Sequence, residues 1–154
     1  LADIAEARPD WPLAIIGPRW EGAEPPAGLR RLEAAPNVEM LGLVPYDNLP
    51  AYLREADVLL IPYVQNAATR AVFPLKFFEY LATGRPVVAS PLPSLLPYNR
   101  AVHLARGLGD WLAAIDRALA DTHQLENQRR TLARRHTWGA RLKEMERALA
   151  EVLG

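Results

Sequence analysis

Cysteine is missing from all 154 residues, which excludes disulfide frameworks, thiolate metal sites and cysteine nucleophiles. Net charge is missing too. The 18 basic residues balance 18 acidic ones, so the charge balance marks neither nucleic acid nor an anionic membrane as partner. Any anion site has to be local, built from a few side chains and a helix terminus. Long apolar runs are also lacking: the longest, such as Val58–Ile61, fall far short of the ~20 residues that span a bilayer. Lysine is scarce. Of the 18 basic residues 16 are Arg, leaving only Lys76 and Lys143; the habit fits a GC-rich coding bias and makes either lysine a candidate chemical choice. The chain opens on Leu1 without a charged leader and apolar segment, and it reads as part of a longer protein.

What is present is the composition of one globular domain, half hydrophobic and under a quarter charged over 154 residues. Short apolar runs at Pro12–Ile16, Val38–Leu41, Val58–Ile61, Val87–Ala89 and Val102–Ala105 lack clean alternation, as parallel strands covered on both faces do. Amphipathic segments lie between them, at Leu29–Ala34, Asn48–Ala56, Pro74–Thr83 and Asp110–Ala120. This alternation predicts an α/β fold with a Rossmann-like doubly wound parallel sheet and right-handed crossovers. Leu1–Arg8 reads as a helix end with no strand ahead of it, so the first strand of the sheet is expected outside these residues. The segment 17–28, rich in Pro, Gly and charge, reads as a surface loop. Residues 121–154 have no strand pattern and predict two helices, one through Arg135 and one from about Thr137 with Leu142, Met145, Leu149 and Val152 on its apolar face.

The segment from Phe73 to Ser90 carries the functional signal. Pro74 stands where a helix begins, since its missing N–H is needed least in the first turn. Gly84 and Pro86 close that helix, with Gly84 as the expected left-handed residue. Lys76 falls near the third helical position, where a cation opposes the helix dipole but, beside free N–H groups, makes a place for phosphate. Glu79 follows at i+3 and can share its face. Two readings are open: a surface ion pair of little energetic weight, or a phosphate-binding ammonium beside a carboxylate that accepts from a vicinal diol such as ribose. The helix should start at the carboxyl edge of the sheet, where open α/β folds bind ligands.

At these residues the chain resembles the C-terminal domain of the retaining glycosyltransferases of family 4, also called glycosyl transferases group 1. The family signature is a first Glu, seven residues, a second Glu, then Ala-x-x-Gly-x-Pro-Val-Val; Glu79-Tyr-Leu-Ala-Thr-Gly-Arg-Pro-Val-Val88 matches its second half. Ala56–Tyr63 resembles the strand leading into the site, Val38–Val44 the segment passing the nucleotide base, and Arg135–Trp138 with the closing helix the family's C-terminus. The resemblance implies the C-terminal half of a GT-B fold with extra C-terminal helices. It implies transfer of a sugar from a nucleotide-diphosphate sugar with retention, in bacterial polysaccharide or glycolipid synthesis, with neither metal nor other cofactor. It implies that Glu79 holds the ribose hydroxyls, that backbone amides around Phe73, Leu75 and Lys76 face pyrophosphate or sugar, and that Val44 flanks the base. An N-terminal acceptor domain, and the first loop with its phosphate ligands, are expected outside these residues. On that reading the fragment alone is inactive, and the whole protein is cytoplasmic, touching the inner membrane face through the absent domain. Two departures stand out: the first Glu is replaced by Ala71, and Pro74 stands where the family has Gly.

Asn66, Thr69 and Arg70 lie in the loop before the helix, as candidates for phosphate or sugar contact or as a polar turn. Gly17 ends the first visible strand, suiting close ligand approach or plain turn geometry. Tyr46 and Asp47 border the base or form a turn. His103, His123 and His136 have no metal-ligand spacing, and Trp11, Trp111 and Trp138 read as packing residues. Two other functions fit the same residues. A nucleotide-sugar 2-epimerase shares the two-domain architecture, and a catalytically degenerate nucleotide-binding or assembly domain accommodates Ala71.

Overall fold

Each short apolar run forms a strand and each amphipathic segment a helix. The computed structural model describes residues 1–18, 20–22, 24–121 and 125–153. In chain order the elements are α1 (Ala2–Ala7), β1 (Leu13–Ile16), α2 (Ala27–Ala34), β2 (Val38–Gly42), α3 (Leu49–Glu55), β3 (Leu59–Ile61), α4 (Lys76–Thr83), β4 (Val87–Ala89), β5 (His103–Leu104), α5 (Gly107–Ala120), α6 (Glu126–Arg135) and α7 (Trp138–Leu153). Every strand pairing is parallel, with Leu13 opposite Val38, Leu59 opposite Val87 and Val88 opposite His103. This is the α/β arrangement expected.

The side-chain alternation of β3 and β4 explains why they are buried on both faces. Leu59, Ile61, Val87 and Ala89 pack with Leu53, Phe77, Leu81 and Ala133 of α3, α4 and α6. Val88, with Val58 and Leu60, faces Ile4, Trp111, Ala114 and Ile115 of α1 and α5. On α5 the buried residues Trp111, Ala114, Ile115 and Ala118 follow helical spacing. Two-sided burial does not extend to β1 and β2. Leu13, Ile15 and Val38 pack on Ala2, Ala5 and Leu32, while Ala14 and Glu39 lie exposed, because a small and a charged residue alternate with the apolar ones.

The strands fall into two sheets, β1–β2 and β3–β4–β5. β1 and β3 therefore each keep one edge without a strand partner among the described residues. Helix α1 touches both halves: Ile4 packs in the Val88 cluster, Ala2 and Ala5 in the Leu32 cluster. A cavity of about 380 Å³ is lined by the start of α1 (Leu1, Ala2, Asp3), by α2 (Gly28, Leu29, Arg31, Leu32) and by Pro62 directly after β3. The turn between α1 and β1 is welded to the start of β2 by Asn37. Its side-chain amide donates to the carbonyls of Ala5, Arg8 and Trp11 at 2.9–3.1 Å, satisfying groups left over at the helix end.

The two C-terminal helices form as predicted, but the apolar face of α7 is not packed on any described residue. Its apolar stripe of Leu142, Met145, Leu149 and Val152 is exposed, and Trp138, read from the sequence as a packing residue, is 84 % exposed. Helical spacing produced the stripe; nothing among the described residues covers it. No helix among the described residues is long and apolar enough to cross a membrane.

Candidate functional site

Helix α4 stands between β3 and β4 in the chain and packs Phe77 and Leu81 against them. It does not begin at Pro74. The Phe77 N–H donates to the Pro74 carbonyl at 2.8 Å, Leu75 is the N-cap, and Lys76 is the first helical residue. Buried Pro74 thus supplies the acceptor of the entering turn, and Lys76 sits at the helix mouth, not near the third helical position. Leu75 provides no side-chain cap, and neither its own amide nor that of Lys76 has a partner among the described residues. An uncapped helix start is a place where an anion replaces the missing acceptor.

Below the helix, Phe73, Phe77, Phe78 and Tyr98 form one aromatic cluster. Phe73 stacks on Phe78 at 5.2 Å, and Tyr98 lies 5.2 Å from Phe77. The ring of Phe73 is therefore committed to packing, which fixes the loop it stands in. His136 stacks on Phe78 at 4.3 Å. Loss of hydration there, with Arg141 nearby, holds its pKa below the usual imidazole value. His103 lies in β5, and His123 lies outside the described residues. Trp111 is in the core as expected, and half-buried Trp11 carries the Arg8 guanidinium 3.8 Å over its ring.

The far end of α4 is held more firmly. Gly84 takes the left-handed conformation, φ +84°, which glycine adopts at helix C-termini without steric cost. The Arg129 Nε donates to the Gly84 carbonyl at 3.0 Å, while both terminal nitrogens donate to Asp121 Oδ2 at 2.9 Å. Arg130 donates to the Thr83 carbonyl at 3.0 Å. Two guanidiniums thus take up the last carbonyls of α4, where positive charge suits the helix dipole. Nothing in the sequence pattern joins α6 to Gly84, and this contact was not foreseen.

Glu79 and Lys76 are both exposed, and they form no ion pair with each other. Glu79 accepts instead from the Tyr46 hydroxyl, 3.0 Å from Oε1. Tyr46 opens a 3₁₀ turn, residues 46–48, just past β2. That bond and the negative carboxylate beside it raise the phenol pKa above its ordinary value. Val44 is half-buried in the segment between β2 and this turn, two residues before Tyr46.

The loop before α4 is more self-satisfied than its residue types suggest. The Asn66 N–H donates to Thr69 Oγ1, the Thr69 N–H to Asn66 Oδ1, both at 2.9 Å, and the Thr69 hydroxyl donates to the Val64 carbonyl at 2.7 Å. Thr69 is spent on the turn, and Asn66 has its carbonyl oxygen engaged. Arg70 is exposed in the 3₁₀ turn Thr69–Ala71; its N–H donates to the Asn66 carbonyl at 3.2 Å, while its guanidinium has no hydrogen-bonded partner among the described residues. Gly17, at the end of β1, donates to the Gly42 carbonyl at 2.9 Å; a side chain built there meets nothing within 4 Å. Gly42 takes φ +71°, which turns the chain out of β2 toward Val44. The 380 Å³ cavity is lined by neither Glu79 nor Lys76.

Residues 1–121 match the family described as glycosyl transferases group 1. TuaH of Bacillus subtilis (strain 168), named for a glycosyltransferase role in teichuronic acid biosynthesis, is 29 % identical over 151 residues, covering 94 % of this chain and 38 % of TuaH. The amylovoran biosynthesis glycosyltransferase AmsK of Erwinia amylovora is 35 % identical over 83 residues, 51 % of this chain and 20 % of AmsK. The chain thus spans well under half the length of these relatives. No solved structure matches it. The family match takes in all five strands and the whole of α4, and the chain belongs to the group 1 glycosyl transferases.

Proposed function

We propose that this domain holds the nucleoside diphosphate of a sugar donor at the mouth of α4, and that the whole protein transfers the sugar, with retention and without a metal, in building a bacterial surface polysaccharide. The observation that carries the reading is Glu79: an exposed carboxylate already engaged by a hydroxyl at 3.0 Å, one turn from the unpartnered amides of Leu75 and Lys76 and from the Lys76 ammonium. A carboxylate with two acceptor oxygens suits the ribose diol, and the uncapped helix start with its cation suits the adjacent diphosphate. In the transition state the same amides and ammonium would stabilise charge on the departing diphosphate, which is electrostatic catalysis without proton transfer. The names of TuaH and AmsK, one a teichuronic acid and the other an amylovoran biosynthesis glycosyltransferase, support the polysaccharide part of the reading.

The free edges of β1 and β3 support a further part of the proposal. A parallel strand supplied by polypeptide outside these 154 residues would join the two half-sheets in the 3-2-1-4-5-6 order of doubly wound folds, and its exit loop would reach the same carboxyl edge. The acceptor-binding domain, and any contact with the cytoplasmic membrane face, belong to that outside polypeptide.

Calorimetric titration with uridine, guanosine and adenosine diphosphates tests the assignment. Wild type is expected to bind at least one of them, and Glu79→Ala to weaken that binding roughly 10- to 100-fold, the scale of losing hydrogen bonds to a charged group. Equal binding by both proteins removes Glu79 from the site. One observation favours a second reading: Ala71 is exposed in the turn before α4, and a methyl group there accepts no hydrogen bond from a sugar. A protein that holds donor without transferring it would show neither hydrolysis nor transfer with any of a panel of donor sugars.

A further inference from the structure

The hydroxyl of Tyr46 and the carboxylate of Glu79 come from two different crossovers of the sheet, 33 residues apart, and meet at 3.0 Å on an exposed surface. Tyr46 is 71 % exposed, so its ring adds little to any core. The backbone that carries it is nevertheless held. Gly42 turns the chain out of β2, and the Pro45 carbonyl accepts from the N–H groups of Asn48 at 2.9 Å and Leu49 at 3.2 Å, anchoring the turn on α3. Glu79 is fixed only through its backbone, because its i−3 neighbour Lys76 does not pair with it. An exposed glutamate of this kind samples many rotamers, and ordering it has an entropic cost. The Tyr46 bond selects one of them.

We propose that Tyr46 is the positioning residue of the donor site: it holds Glu79 Oε1 by one lone pair and leaves Oε2, with the outer lone pair of Oε1, set for a vicinal diol. This inference rests on the donor-nucleotide reading given above and deepens it, by assigning the site to ribonucleotides over their 2′-deoxy counterparts. A carboxylate has about four acceptor positions, so the tyrosine need not leave when the ribose arrives. Its own oxygen lone pairs also remain free to accept from the ligand.

The test is a double-mutant cycle read by calorimetry on the 154-residue chain, using Tyr46→Phe, Glu79→Ala and the pair. The probes are uridine, guanosine and adenosine diphosphates with their 2′-deoxy forms. Tyr46→Phe is expected to weaken the ribonucleotide that binds by roughly three- to tenfold. The 2′-deoxy form should lose less, so the ribo-to-deoxy preference shrinks. In the Glu79→Ala background the phenylalanine should add no further loss, and thermal midpoints should be unchanged by Tyr46→Phe. Equal or tighter ribonucleotide binding by Tyr46→Phe overturns the proposal, since the tyrosine is then idle or in the way. A loss of the same size in the Glu79→Ala background overturns it too, because the effect then does not run through the carboxylate. If wild type binds none of the six nucleotides, the donor reading itself falls and takes the role of Tyr46 with it.

Discussion

Replacing Arg129 by methionine removes a guanidinium that is only 2 % exposed and serves two acceptors at once. The first is Asp121 Oδ2, at 2.9 Å from both terminal nitrogens; the second is the carbonyl of Gly84, at 3.0 Å from Nε. Desolvation lowers the arginine pKa, and the charges of Asp121 and Glu126 work against that shift; the Arg129 side chain is almost wholly shielded from water and that of Asp121 largely so. Methionine fills much of the volume and leaves the Asp121 carboxylate, itself largely buried, without its counter-ion. Breaking a buried pair from one side costs about 3–5 kcal/mol. For a chain of this size that is a fall in melting midpoint of about 6–20 °C, a large share of the 5–15 kcal/mol that typically holds a domain folded. Removing both charges, in Arg129→Met with Asp121→Leu, leaves only the Gly84 carbonyl unsatisfied, a loss of about 1–3 kcal/mol. Urea unfolding of wild type, both single variants and the double variant measures the series. A single-variant loss below about 1 kcal/mol refutes the buried pair, and a double variant no better than Arg129→Met refutes the stranded carboxylate as the cause.

Two further outcomes follow from the same structure. Gly84→Ala places a Cβ 2.5 Å from Glu126 Cγ and 2.9 Å from Arg130 Nε at φ +84°; the backbone strain alone is about 1–2 kcal/mol, and the clash adds to it, so thermal unfolding should shift by more than an ordinary surface substitution gives. His103 and His136 both have pKa values lowered by desolvation, so the folded state binds fewer protons than the unfolded one. Their contribution is fully present above the unfolded histidine value of about 6.5 and is lost as pH falls through the lower folded values. Denaturant midpoints should therefore drop below about pH 6.5, and His136→Gln should flatten part of that drop.

Much of the architecture was legible because it rests on local rules. The five apolar runs, Gly84 after Thr83 and the break at Pro86 mark strands, cap and helix end by residue chemistry alone. What was not legible depends on partners. The start of α4 was read at Pro74 because proline suits a first helical position, but here its carbonyl closes the preceding turn and the helix starts at Lys76. Trp138 reads as a packing residue only if something packs on it, and at the start of α7 it stands 84 % exposed. Glu39 and Ala14 open one face of β1–β2, where a uniform apolar run had suggested burial on both. At the site, Asn66 and Thr69 had the right chemistry for a sugar, yet each spends hydrogen bonds on the other. Tyr46 was near the base by order in the chain, but its bond to Glu79 depends on the crossing of two loops, which no spacing encodes.

These contacts give α4 an asymmetry that bears on how the site works. Its C-terminal end is pinned by Arg129 and Arg130 of α6 and by the left-handed Gly84, and its underside by the Phe73, Phe77, Phe78 and Tyr98 rings. Its N-terminal end has no side-chain cap and no acceptor for the Leu75 and Lys76 amides. A helix free to fray at both ends would lose its first turn to water at little cost. One fixed at the base and underside keeps its first turn, so the amides stay directed at the solvent, with Lys76 beside them. The stability invested around Gly84 and the open groups around Leu75 are in that sense one arrangement. Loosening Arg129 should then free the first turn of α4, seen as faster hydrogen exchange of the Phe77 amide that donates to the Pro74 carbonyl, even though the two ends lie a full helix apart.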